Sequence, residues 1–327
     1  MLDLLFEGWE RPGIRRPFLF LLFFGLLFWL DLSAWTTGEG PFALFGVVPE
    51  EGLGEASALA ARALPAALIA GFLILDFWLL SFLPLLWQIG LVWGQLLATF
   101  VLFVYAFDLD IPYIVERLPI MIGTGAVLTI GVSAASIFFA CFIALAGALA
   151  RLSNSGPAYA IATFYISFFR GTPLLLQIFL IYLGLPQFGV HLEAVPAGIL
   201  ALSLCYGAYL AEIFRAGIQG VPYGQGEAAT SLGLSRSLTL RKIVLPQAMK
   251  LIVPPTGNQF IAMLKDSSLV SVMGVLELMY LARTQGRAGF RYFEMLITAA
   301  VIYWVISFCF ELVQARIERH YGKADKR

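Results

Sequence analysis

Glu227-Ala228-Ala229-Thr230-Ser231-Leu232-Gly233, followed nine residues later by Ile243-Val244-Leu245-Pro246, is a polar, glycine-punctuated stretch in an otherwise apolar chain. Pro222 suits the first turn of a short helix, and Gly233 suits the left-handed residue that ends one. Between them, Ala228 and Ala229 present small side chains that permit close approach, and Glu227 supplies a polar contact. Ser235 can cap a second short helix, Arg236 to Leu245, which Pro246 is expected to break. The result is a rigid protrusion, suited to a groove on another protein.

The surrounding chain belongs in a bilayer. At 60% hydrophobic, 13% charged and mean hydropathy +0.86, its 327 residues carry more apolar surface than one soluble core could bury. A net charge of +0 and a pI near 6.7 exclude the basic surface of a nucleic-acid binder. Cys141, Cys205 and Cys309 lie far apart in apolar runs, and His191 and His320 are the only histidines, so neither a disulfide framework nor a metal site is expected.

A hydrocarbon core about 30 Å thick needs about 20 helical residues, which divides the chain into about eight spans. Phe18 to Trp35 is the first, with Arg11, Arg15 and Arg16 before it and Glu39, Glu50, Glu51 and Glu55 after it. The positive-inside rule therefore places the N-terminus in the cytoplasm. A signal peptide ending near Leu32-Ser33-Ala34 is disfavoured by the bulky Trp35. Leu64 to Phe107 makes two spans, split at Ser81 to Pro84. Asp108, Asp110 and Glu116 mark an external segment. Spans then follow at Leu118 to Ala150, Pro157 to Leu185, Pro196 to Arg215, Ala248 to Leu264 and Phe293 to Gln314, with Ser267 to Arg291 near the outer face. The basic tail, with Arg316, Arg319, Lys323, Lys326 and Arg327, is cytoplasmic. Arg283, Arg287 and Arg291 fall outside, against the rule.

The spacing EAA-x3-G-x9-I-x-L-P is the signature of the membrane subunits of ABC importers, and every signature position is filled here. Residues 123–320 further resemble the amino-acid (histidine/glutamine/glutamate/arginine) family of ABC importer permeases. The matching stretches are Phe169-Arg170-Gly171-Thr172-Pro173-Leu174, Ala211-Glu212-Ile213-Phe214-Arg215-Ala216-Gly217-Ile218, Val221-Pro222 with Gly224-Gln225, and Lys265-Asp266-Ser267-Ser268-Leu269. The resemblance implies an all-α integral membrane protein with a type I permease core of five helices in 111–327, coupling loop 220–246 included. Residues 1–110 form an N-terminal extension of about three transmembrane helices and an external loop. It also implies partners: two ATP-binding subunits, a second permease chain, the same or homologous, and an extracytoplasmic amino-acid-binding protein, in a bacterial cytoplasmic membrane. On this reading Glu227, Ala228, Ala229, Gly233, Ile243, Leu245 and Pro246 couple to the ATPase. The chain is not an enzyme and holds no cofactor, ATP and Mg being expected on the partner. No G-x-x-x-x-G-K-[ST] loop occurs in it.

Ionisable groups at membrane depth face a partner or a polar cavity. Arg170, followed by Gly171, Thr172 and Pro173, which loosen the helix and expose carbonyls, is a candidate for meeting a substrate carboxylate; the alternative is a salt bridge to Glu212 or Asp266. Pro254, Pro255 and Gly257 are expected to break a span beside Asn258 and Gln259, whose amides suit an amino acid. Lys265 and Asp266 either gate or pair with each other. Arg170, Thr172, Gln177, Glu212, Asn258, Gln259, Lys265 and Asp266 therefore form the candidate substrate path. An ion-coupled secondary amino-acid transporter would also place charges there, but it usually shows an internal repeat, and none is evident. A membrane enzyme would need a nucleophile, metal cluster or carboxylate pair, and nothing completes a site around Asp108 and Asp110. Asp76 has no evident role.

Overall fold

All regular structure is helical in the computed structural model, which describes residues 55–106 and 109–322. The first expected span, the loop after it and the last tail residues lie outside those residues. The chain divides after Leu109 into two units.

The first unit holds α1 (Glu55–Leu80) and α2 (Leu85–Ala106). They separate at residues 81–84, where Pro84 stops the helix and the Ser81 hydroxyl caps the Trp78 carbonyl at 2.6 Å. Asp76, unassigned in the sequence, accepts a 2.9 Å hydrogen bond from Gln95 of α2, so each polar side chain satisfies the other within an apolar hairpin.

The second unit begins with α3 (Ile111–Ile120), capped by the Asp110 carboxylate on the Tyr113 amide. A π-helical turn, Met121–Ala126, follows Pro119 and leads into α4 (Val127–Arg151). Next come α5 (Gly156–Gly171), α6 (Leu174–Phe179) and α7 (Ala194–Gln219). The coupling segment then supplies α8 (Tyr223–Ser231) and α9 (Arg236–Thr239), followed by α10 (Leu245–Asp266), α11 (Leu278–Gly289) and α12 (Tyr292–Gly322).

Small residues decide the centre of this unit. Ala140, Ala144 and Ala148 form a stripe on α4, and Ala197, Ala201, Ala208 and Ala211 are equally buried on α7. A Cβ on Gly147 would sit 3.2 Å from Ala211, and one on Gly207 would sit 2.8 Å from Ile143. The two helices therefore approach closely, as small-residue faces do in membranes. Ser203 of α7 adds a 3.2 Å hydrogen bond to the Ser136 carbonyl of α4.

Three expectations are corrected. The span from Pro157 to Leu185 is two helices bent by 109° at Gly171–Pro173. The carbonyls freed there are not open to a solute: the Gln177 amide donates to Phe169 O at 2.9 Å and Thr172 O at 3.0 Å. Pro254 and Pro255 do not break α10, which runs unbroken to Asp266. The Thr256 hydroxyl holds the Ile252 carbonyl and Gln314 of α12 reaches the Pro254 carbonyl at 2.7 Å, so neighbouring side chains keep the turn satisfied. α10 is more polar than Leu85–Leu102, Ile111–Arg151, Ala194–Gln219 and Tyr292–Arg319, described helices apolar and long enough to cross a bilayer. Lys250, Asn258, Gln259, Lys265 and Asp266 lower its hydropathy.

Phe260 stacks edge-on with Phe310 at 4.9 Å while Gln314 meets Pro254, so α10 and α12 run antiparallel. A Cβ at Gly257 would overlap Gln314. We expect Gly257→Ala to displace Gln314 and lower stability by about 1–3 kcal/mol, as overpacking in a filled core does. Thermal unfolding in detergent measures it, and pairing the change with Gln314→Ala is expected to recover part of the loss.

At the far end of α10, Glu277 caps α11 although its side chain is fully buried. Its carboxylate accepts from the Met279 amide (2.9 Å), the Tyr280 amide (2.7 Å) and the Tyr303 hydroxyl of α12 (2.6 Å). The adjacent Leu278 amide donates to Thr129 of α4.

Candidate functional site

The coupling segment is anchored from below. Gly217 lets α10 approach so closely that a Cβ there would overlap Ile252, and at Gly220 it would meet Leu251 at 2.8 Å. Val221, Ala248 and Ile252 are buried together against Phe214, Ile218 and Val244. On this base α8 starts at Pro222 and ends in a left-handed Gly233 (φ 74°). Gly233 donates to Thr230 O at 2.9 Å and Leu234 to Ala229 O at 3.1 Å, the paired bonds of a Schellman cap.

One face of α8 is turned out. Tyr223 and Leu232 are 88% and 78% exposed, and Glu227 and Ala228 are exposed between them. Ala229 is 1% exposed, which corrects the pairing of the two alanines: Ala228 is available for close approach, whereas Ala229 packs the segment onto its own base. A cleft of about 650 Å³ separates α8 from the following turn, lined by Tyr223, Glu227, Thr230, Leu240 and Val244 among others.

The second short helix continues into the next. α9 leads through a π-helical turn, Leu240–Val244, directly into α10, with Pro246 in its first turn. Pro246 therefore does not break the chain, because the widened turn ahead of it absorbs the missing donor. Ile243 and Leu245 are half-buried in this junction and Pro246 is exposed. The Ser235 hydroxyl accepts from the Leu238 amide at 3.4 Å, a long capping bond.

The substrate-path candidates do not form one cluster. Glu212 pairs with Arg215 at 2.8 Å and with Arg151 at 3.8 Å. Arg151 also donates to Thr163 and lies over the Tyr159 ring, so this group ties α4, α5 and α7. Arg170 makes no ion pair with Glu212 or Asp266 among the described residues; its guanidinium lies 5.4 Å from the Tyr209 ring centroid. The salt-bridge alternative fails because both carboxylates are engaged elsewhere. Asp266 accepts from Tyr206 at 2.7 Å, and no ion pair joins it to Lys265, which is exposed. The Tyr206 and Tyr209 rings are 6.2 Å apart, so Arg170, Tyr209, Tyr206 and Asp266 form a chain with a cation at one end and an anion at the other. Neither tyrosine was singled out in the sequence; their i,i+3 spacing on α7 was the available signal. Asn258 and Gln259 make no side-chain hydrogen bond among the described residues, and Asn258 is exposed. Gln177 is 2% exposed, and its amide also donates to the Thr172 hydroxyl, so it clamps the α5–α6 bend.

Residues 136–323 match the family described as binding-protein-dependent transport system inner membrane component. The chain is 42% identical over 206 residues to the L-cystine transport system permease protein TcyB of Bacillus subtilis (strain 168), covering 63% of this chain and 88% of that protein. It resembles a chain in the crystal structure of an amino acid ABC transporter with histidines: TM-score 0.61, 40% identity, 65% of this chain and 99% of that one. An inward-facing MetNI methionine ABC transporter shares the fold at TM-score 0.55 and 20% identity, over 63% of this chain and 98% of that one. None of these matches supports the ion-coupled alternative. With its helical spans and capped coupling segment in place, the chain belongs to the binding-protein-dependent transport system inner membrane components, transport subunits of the type I ABC permease fold rather than enzymes.

Proposed function

We propose that this chain is the permease subunit of an ATP-driven amino-acid importer of the bacterial cytoplasmic membrane, with both termini in the cytoplasm. Two ATPase subunits, which carry ATP and Mg, grip the exposed face of α8, and a second permease chain completes the pathway. A soluble binding protein delivers amino acid to the outer side. The observation that carries this reading is the glycine-capped α8, which presents Glu227 and Ala228 outward from a buried base, followed after a short turn by α9, which runs on into α10 without a break. The coupling residues are Glu227, Ala228 and Gly233, with Ile243, Leu245 and Pro246 where the π-helical turn runs on into α10.

In the pathway, Arg170 meets the carboxylate of the solute, and Thr172, Asn258, Gln259, Lys265 and Asp266 provide polar contacts. Gln177 and Glu212 serve it by holding the shape of the bundle, since the Gln177 amide nitrogen donates to the α5–α6 bend and Glu212 pairs with Arg215 and Arg151. Reconstitution tests the reading. Vesicles holding this chain with its ATPase, companion permease and binding protein are expected to accumulate radiolabelled amino acid only with internal ATP and Mg. Uptake by the chain alone, or driven by an ion gradient, overturns it.

A further inference from the structure

Across the middle of α7, from Ala201 to Ala211, Tyr209 is the one exposed residue; every other is buried or half-buried. Arg170, next to the end of α5, is exposed as well, and its guanidinium lies 5.4 Å from the Tyr209 ring centroid. Among the described residues Arg170 makes no hydrogen bond and no ion pair, so the ring is its partner. Attraction to an aromatic face uses the charge of a guanidinium, whereas a carboxylate is bound through its planar fork of N–H donors. Tyr209 therefore holds the charge while leaving the donors free.

Both supports of this contact are pinned. Behind Tyr209, the Tyr206 ring is 4% exposed, its centroid is 6.2 Å from that of Tyr209, and its hydroxyl donates to Asp266 of α10 at 2.7 Å. On α5, the Tyr165 hydroxyl donates to the Leu204 carbonyl of α7 at 2.6 Å, in a notch that only a residue without Cβ leaves open: at Gly207 a Cβ would lie 2.8 Å from that hydroxyl. The Phe169 carbonyl, next to Arg170, is held by Gln177. The backbone that carries Arg170 and the ring that receives it are thus fixed, and the remaining freedom is that of the long Arg170 side chain. An arginine loses rotamer freedom when it binds a solute, and restricting it beforehand lowers that cost.

We propose that Tyr209 is the positioning residue for Arg170, its ring holding the guanidinium in place to receive the carboxylate of the transported amino acid. The proposal rests on the assignment of Arg170 to that carboxylate under the importer reading and adds the side chain that prearranges it.

The test measures equilibrium binding of tritiated L-arginine, L-glutamine and L-glutamate, a basic, an amide and an acidic amino acid, to the full complex in nanodiscs. Tyr209→Leu is expected to raise the Kd of whichever is bound by about three- to tenfold, with melting temperature unchanged. Tyr209→Phe keeps the aromatic face and is expected to bind like the unchanged complex. Competition with the unlabelled decarboxylated amine of the bound amino acid supplies a readout that a general loosening does not move: the preference for the amino acid is expected to shrink by the same factor. In an Arg170→Gln background, Tyr209→Leu is expected to add nothing, as for a residue acting through another. Unchanged binding by Tyr209→Leu, equal weakening of amino acid and amine, equal loss in Tyr209→Phe, or a full further loss in the Arg170→Gln background overturns the positioning proposal alone. Arg170→Gln binding as tightly as the unchanged complex overturns the assignment of Arg170 with it. Saturable binding of none of the three by the unchanged complex overturns the amino-acid reading itself.

Discussion

Replacing Gly233 by valine is expected to lower amino-acid uptake by the reconstituted complex tenfold or more, while the spans remain inserted and the ATPase subunits still hydrolyse ATP. The cause is conformational. A Cβ at Gly233 would meet nothing within 4 Å, so crowding is not the obstacle; the backbone at φ 74° is. A β-branched residue there costs about 1–2 kcal/mol or more and favours an α8 that ends elsewhere, losing the Gly233–Thr230 and Leu234–Ala229 bonds. Asparagine, which tolerates the left-handed region, is expected to retain most uptake, with alanine between the two. A flat series across asparagine, alanine and valine would show that the cap does not set coupling. Unchanged uptake after both Gly233→Val and Glu227→Ala would remove α8 from the mechanism.

Glu277→Ala is expected to be the most destabilising single change in the described core, by about 2–5 kcal/mol. It leaves two backbone amides and the Tyr303 hydroxyl without their acceptor inside the protein. It also frees α11 from α12. Glu277→Gln keeps one acceptor and is expected to lose less. Thermal unfolding in detergent measures both variants, and an unchanged midpoint for Glu277→Ala would count against this role.

What was legible in the sequence is what local chemistry dictates. Pro222, Gly233 and Ser235 announce the ends of α8 and the start of α9, because a left-handed residue or a cap needs a particular side chain. The break before Pro84 follows from the same rule. Features set by distant partners were not legible. Pro254 and Pro255 suggested a broken span, but Gln314, sixty positions away, steadies that turn. Gly171-Thr172-Pro173 announced a weak point, yet its angle and the use of its carbonyls depend on Gln177. Arg170 is marked by its charge within an apolar run, while its neighbour Tyr209 comes from another helix. Glu277 carries no local mark at all, since a glutamate before a helix looks the same whether wet or buried.

The π-helical turn ahead of Pro246 has a mechanical consequence. Because helix continues from Arg236 to Asp266, the segment is a strut about 45 Å long with no joint along it. A strut has no slack, so any tilt imposed at its foot would reappear as a swing at its head. There Asp266 accepts from the Tyr206 hydroxyl of α7, so a swing of the head would pull on α7 as well.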